Sequence, residues 1–119
     1  MADKASRLLV HDDGEVARIR FVDRNILEEA AIQQIGEEIA QIIERSTNPK
    51  ILISFQQVEH LSSAALGTLI SVNNKVKLKG GQLRLSDIDA QIYEVFVITK
   101  LSKLFRIYDT AEEARKSFS

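Results

Sequence analysis

The chain has 119 residues, enough for one domain and too few for two ordinary ones. Sixteen Lys and Arg against 17 Asp and Glu leave a formal charge of −1, without the basic excess of a general nucleic-acid binder. There is no cysteine, which excludes a disulfide framework, a thiolate metal site and a cysteine nucleophile.

Residues 1–119 read as a single domain, with 1–5 as a loose tail. The N-terminus carries no apolar signal region, and no apolar run approaches the roughly 20 residues that span a bilayer. The expectation is a cytoplasmic protein without direct membrane insertion. Leu8–Val10 is a short apolar run followed by Asp13-Gly14, a strong turn signal. Val16, Ile19, Phe21 and Val22 then alternate imperfectly with charged residues, which predicts a β-hairpin.

Over residues 26–45, Leu27, Ala31, Ile35 and Ile39 recur every four positions, joined by Ile42 and Ile43. This is the stripe of an amphipathic helix, and Glu28 and Glu29 complement the dipole of its first turn. Pro49 ends it. Lys50–Phe55 is a nearly continuous apolar run, expected as a strand buried on both faces. Residues 56–61 read as a loop.

A second helix is expected from about Ser63 to Lys79, with Leu66, Leu69, Ile70, Asn73 and Val76 on one face. Gly80-Gly81 supplies its left-handed cap. Gln82–Ser86 alternates as a strand. Asp89 caps a third helix with apolar positions Ile92, Val95, Phe96 and Thr99, and Leu101, Leu104 and Phe105 continue its surface. Ile107-Tyr108 is a last short strand, and Asp109 or Thr110 caps a final helix with Ala111, Ala114 and Phe118 on one side. The order β-β-α-β-α-β-α-β-α predicts an α/β fold: a mixed, mostly parallel sheet with an N-terminal hairpin and about four flanking helices.

The most informative segment is ILISFQQVEHLSSAALGTLI, residues 51–70. A buried strand leads through a loop to Ser62 and Ser63 at a helix start. Either hydroxyl can cap the helix. Alternatively, a phosphoserine there is electrostatically tolerated beside the free N–H groups of the first turn, and its charge could abolish docking of an apolar or acidic partner through desolvation and repulsion.

The strand, the loop, SSAALGTLI and the following helix, GG and strand resemble the STAS domain of bacterial anti-sigma factor antagonists, over nearly the whole chain. That family carries D-S-S-G-L-G at the helix start, with the second serine as the usual phosphoacceptor. Aligned on Leu66-Gly67, this chain has Ser62 at the aspartate, Ser63 at the first serine, Ala64 at the acceptor and Ala65 at the glycine. Ser63, then Ser62, are the remaining phosphorylation candidates.

The resemblance implies a partner switch in transcription regulation. The unphosphorylated domain would bind an anti-sigma factor, often a serine kinase, and so release a sigma factor; a serine phosphatase would reverse the mark. The expected contact surface is His60, Leu61, Ser62, Ser63, Ala64, Ala65 and Gly67, extending to the third helix with Phe96. Leu101, Leu104 and Phe105 are further candidates for its apolar margin, with core packing against the sheet as the alternative for these three and for Phe96. The competing reading is a scaffold or accessory subunit of a larger signalling or transport assembly, to which Ala64 lends weight.

No enzyme, cofactor or metal is expected. His60 lies near Ser62 and Ser63, but a hydrolase also needs an orienting acid and oxyanion donors, and the G-x-S-x-G elbow is missing. His11-Asp12-Asp13 reads as a turn. Gly80-Gly81 follows a helix instead of opening one and lacks the phosphate-loop pattern. Lys75, Lys77 and Lys79 complement a helix C-terminus.

Overall fold

The computed structural model describes residues 6–118, so the tail read at residues 1–5 lies outside them. Strands β1 (Leu8–Asp12) and β2 (Ala17–Phe21) form the expected antiparallel hairpin, with Leu8 opposite Phe21 and Asp12 opposite Ala17. Its turn is held by short carboxylates: the Gly14 N–H donates to Asp12 Oδ1 at 2.9 Å, and those of Glu15 and Val16 donate to Asp13 Oδ1 at 3.0 and 2.9 Å. Gly14 adopts φ +96°, open to glycine at little cost.

The next segment departs from expectation. Residues Asn25–Ile26 form a two-residue strand, β3, and helix α1 spans Glu29–Glu44 instead of beginning at residue 26. Ile26 is buried as a strand residue, whereas Leu27, expected on the buried stripe, is 53% exposed. Glu28 stands outside the helix as its N-cap without a side-chain capping bond, and only Glu29 lies in the first turn. From Ala31 onward the stripe is as expected, with Ile32, Ile35, Ile39, Ile42 and Ile43 buried.

Strand β4 (Lys50–Ser54) leads to a second two-residue strand, β5 (His60–Leu61), within the stretch read as a loop. Then follow α2 (Ser63–Leu78), β6 (Gln82–Ser86), α3 (Ala90–Ile98), a 3-10 turn at Leu101–Lys103, β7 (Arg106–Tyr108) and α4 (Ala111–Lys116). The main sheet has the order β1-β2-β4-β6-β7; every pair but β1–β2 is parallel. β3 and β5 pair parallel as a separate ribbon, Asn25 with His60 and Ile26 with Leu61.

Helices cover both faces, which explains the unbroken apolar run of β4. Ile51 and Ile53 join the larger core with residues of α1, α2 and α3, and Leu52 points the other way to Val16 and Ala114 of α4. Phe21 and Phe55 meet at 5.2 Å in the larger core, and Phe96 and Phe105 meet edge to face at 5.9 Å.

The C-terminal ends of α1 and α2 are fastened together. Lys79 Nζ donates to the carbonyls of Ile43 and Glu44 at 3.3 and 3.2 Å, and Asn48 Nδ2 donates to that of Gly80 at 3.3 Å. Gly80 takes φ +68° as the expected left-handed cap. At Gly81 the backbones come so close that a Cβ would meet the Pro49 carbonyl and lie 2.8 Å from Pro49 Cγ.

Candidate functional site at the start of α2

Because β4 and β6 are parallel neighbours, the segments leading to α2 and α3 leave the sheet from the same edge. Ser54 and Ser86, paired in register at that edge, both donate to Asp87 Oδ2, at 2.9 and 2.7 Å. Ser54 Oγ also accepts the Gln56 N–H at 3.3 Å. This knot fixes where the two connections begin.

The β3–β5 ribbon then delivers the chain to α2. The Glu59 N–H donates to the Arg24 carbonyl at 2.7 Å, and the Ser62 N–H donates to that of Ile26 at 3.1 Å. Ser62 is the N-cap, with extended backbone, and its hydroxyl accepts the Ala65 N–H at 3.2 Å. Its carbonyl accepts the Leu66 N–H. The N–H groups of Ser63 and Ala64 are thus left without an intrahelical acceptor at the positive end of a 16-residue helix.

Ser63 is the first helical residue and is exposed, as are Ala64 and Gly67. Ala65 is buried, so within the expected contact set it belongs to the core side of the helix. Leu61 and Ser62 are half-buried. His60 is exposed, and its Nδ1 lies 2.7 Å from Asn25 Oδ1 across the ribbon. That bond ties the imidazole to the neighbouring strand. Glu59 pairs with Arg24 at 3.8 Å on the surface, a weak interaction.

Phe96 requires a correction. Its side chain is fully buried, packed against Phe105, and so offers nothing to a partner's surface. Phe105 is also core, while Leu101 is half-buried and Leu104 lies at the surface. The exposed apolar residues of α3 are Tyr93, Val95, Val97 and Ile98, the last 71% exposed. The sequence contained the signal: α3 is apolar almost all round, and a helix on a sheet surface buries only one stripe.

Among the described residues no group of three or more His, Asp or Glu is arranged to hold a metal ion, and no helix is long and apolar enough to cross a membrane. His11, Asp12 and Asp13 serve the hairpin instead. The backbone N–H groups of Val16 and Glu15, followed by Arg115, hold the Asp13 carboxyl well below the usual carboxylate range. Arg115 Nε reaches Asp13 Oδ2 at 2.9 Å and so ties α4 to the turn.

Comparison with known proteins places this architecture. A protein of Thermotoga neapolitana, described as a homologue of a candidate anti-sigma factor antagonist, is 34% identical over 65 residues, covering 55% of this chain and 58% of the relative. The matched stretch therefore spans under two thirds of that relative. An anti-sigma factor antagonist (STAS) domain protein of Planctomyces limnophilus superposes with a TM-score of 0.81 at 24% identity, covering 90% of this chain and 93% of the other. The phosphorylated form of SpoIIAA, a Bacillus cell fate determinant, superposes with a TM-score of 0.68 at 20% identity, over 92% of this chain and 96% of the other. The sequence profile of the STAS domain matches residues 22–114, from the end of the hairpin into α4, and the chain belongs to the STAS domain family.

Proposed function

We propose that this protein is an anti-sigma factor antagonist: it docks on an anti-sigma factor of the serine-kinase type and is released when Ser63 is phosphorylated. The observation that carries the assignment to Ser63 is the division of labour between two adjacent hydroxyls. Ser62 Oγ is committed to the Ala65 N–H, whereas Ser63 is exposed at the first helical position. A phosphate on Ser63 would sit beside the free N–H groups of the first turn, so the fold tolerates it. It would add about −1.5 to −2 to a domain whose net charge is −1. That charge would face whatever surface docks at His60–Gly67.

The exposed α3 residues Tyr93, Val97 and Ile98 take the place of Phe96 as the apolar margin of the docking surface. Reversal would fall to a serine phosphatase. The protein acts by occupying a partner and catalyses no reaction in this scheme. The similarity to SpoIIAA, a protein with a phosphorylated form, supports the same reading.

Ala64, exposed where the family resemblance places the acceptor, favours a second reading in which the domain is a scaffold subunit without a phosphate switch. Incubation with the cognate anti-sigma kinase and ATP, read by intact mass, decides. The expected result is one added phosphate, lost in Ser63→Ala and kept in Ser62→Ala. Tight kinase binding without a mass gain would leave antagonism without the switch, and no binding would refute antagonism itself.

A further inference from the structure

Helices cover the two faces of the main sheet unevenly. On one face α1 packs over the hairpin, where Ala17, Ile19 and Phe21 share a core with its buried isoleucines. On the other face α4 packs over β4, β6 and β7. It meets the hairpin near the turn, through Val16 and Asp13. Further along, the hairpin strands are left open on that face. Leu9 stands opposite Arg20 and His11 opposite Arg18, and alternation puts these four on the side away from α1. Leu9, His11 and Arg20 are exposed, and Arg18 is half-buried.

The two sides of this hairpin layer carry opposite charge. Neither Arg18 nor Arg20 has an ion-pair partner among the described residues, and the nearby Asp13 is engaged by Arg115. On the other side, α1 holds four glutamates over Glu29–Glu44 and neither Lys nor Arg. Glu38 is engaged by Ser6 and the Arg7 N–H. Glu37 and Glu44, two turns apart, lie on one exposed stripe and have no ion-pair partner among the described residues. Either face alone is ordinary solvated surface. Back to back, in a chain of net charge −1, they are complementary surfaces on opposite sides of one domain.

We propose that the acidic face of α1 in one copy of this chain docks on the open hairpin face of a second copy. Two strands about 5 Å apart present a strip roughly 10 Å wide, the width of one helix. The docked α1 supplies the cover that α4 gives the rest of the sheet. Glu37 and Glu44 meet Arg18 and Arg20, and the helix shields Leu9, which is 47% exposed in the single copy. The two faces differ, so the contact is heterologous and each copy keeps one face free for the next, giving an open row. Exposed ion pairs contribute little each, so the association is weak and sensitive to salt. It uses neither Ser63 nor the surface at His60–Gly67, and it is independent of the switch.

Sedimentation equilibrium of the full chain tests this. At about 20 mM sodium chloride the weight-average mass should climb with protein concentration past that of a dimer, and at about 0.5 M it should fall to the monomer. Arg18→Glu with Arg20→Glu, and separately Glu37→Lys with Glu44→Lys, should each remain monomeric at low salt, with folding checked by circular dichroism. Mixing the two restores association, because each then presents faces complementary to the other's. Lys75→Glu with Lys77→Glu makes the same change of charge as the first variant away from both faces, and should associate like the parent. If a charge reversal fails to fold, Gln at the same positions replaces it, and a mixture of the two Gln variants should stop at a one-to-one pair. A parent chain that stays monomeric at low salt, a mass that stops at the dimer, a mixture that stays monomeric, or a lysine control that loses association overturns the proposal.

Discussion

Replacing Ser62 by Ala removes the oxygen that accepts the Ala65 N–H at the start of α2. The expected cost is about 1 kcal/mol, or a melting temperature lower by roughly 3–6 °C. Ser63→Ala removes an exposed hydroxyl and should change stability by under about 0.5 kcal/mol. Thermal unfolding of the two variants measures the difference; equal losses would mean that both hydroxyls serve the cap. Ala64→Ser makes a complementary test. Ala64 is exposed one residue further into the helix, where successive side chains are rotated by about 100°. If the partner kinase reads the position that the family resemblance assigns to the acceptor, Ala64→Ser should be phosphorylated faster than the parent chain in a timed mass measurement. An unchanged rate would show a kinase fitted to Ser63. The sequence narrowed the candidates to two serines, but a serine at either position could cap the helix. Only the hydrogen bond to Ala65 separates their roles.

At the scale of elements, the joint between the ends of α1 and α2 is the most sensitive place. Gly81→Ala would drive a methyl into Pro49, most of it against rigid backbone and ring atoms. The expected destabilisation is about 1–3 kcal/mol, lowering the melting temperature by roughly 4–15 °C in a scanning experiment. A variant as stable as the parent would show that this turn can open without loss. The long elements were legible because hydrophobic period dominates where a helix or strand is buried: Ile35, Ile39, Ile42 and Ile43 marked α1, and Lys50–Phe55 marked β4. The ribbon was not. Two residues carry no period, and Leu27, right after them, falls on the four-residue spacing of Ala31, Ile35 and Ile39, so the ribbon was absorbed into α1. Phe96 was misplaced for a related reason. Every turn of α3 offers an apolar residue, so spacing alone does not say which stripe meets the sheet; contact with Phe105 decides it.

At the scale of the whole molecule, two carboxylates join distant segments and make stability depend on pH. Asp13 binds the hairpin turn and Arg115 of α4. For Glu38 of α1, partial burial disfavours the charge. Hydrogen bonds from Ser6, the Arg7 N–H and Gln34 outweigh it and hold the carboxyl below its ordinary value. Both folded-state values lie below the ordinary ones of 3.8 for Asp13 and 4.5 for Glu38. Their contribution is therefore complete above the ordinary values and is lost as pH falls through the folded ones. The urea midpoint should be flat above about pH 6 and fall below about pH 5. The double variant Asp13→Asn, Glu38→Gln should be less stable at pH 7 and show a shallower acid slope. An acid slope as steep as the parent's would assign the dependence to other groups. None of this was visible in the chain read linearly. Asp13 and Arg115 are about a hundred positions apart, and Glu38 lies about thirty positions from Ser6 and Arg7.

The fastening of α2 at its C-terminal end has a consequence for how this molecule could change over generations. The joint at Lys79–Gly81 and the proposed docking surface at His60–Gly67 lie at opposite ends of one helix, about four turns apart. Substitutions at the exposed positions 60, 63, 64 and 67 touch neither the joint nor the core. Exchanges at the start of α2, Ala64 among them, can therefore accumulate while the other end keeps the helix seated.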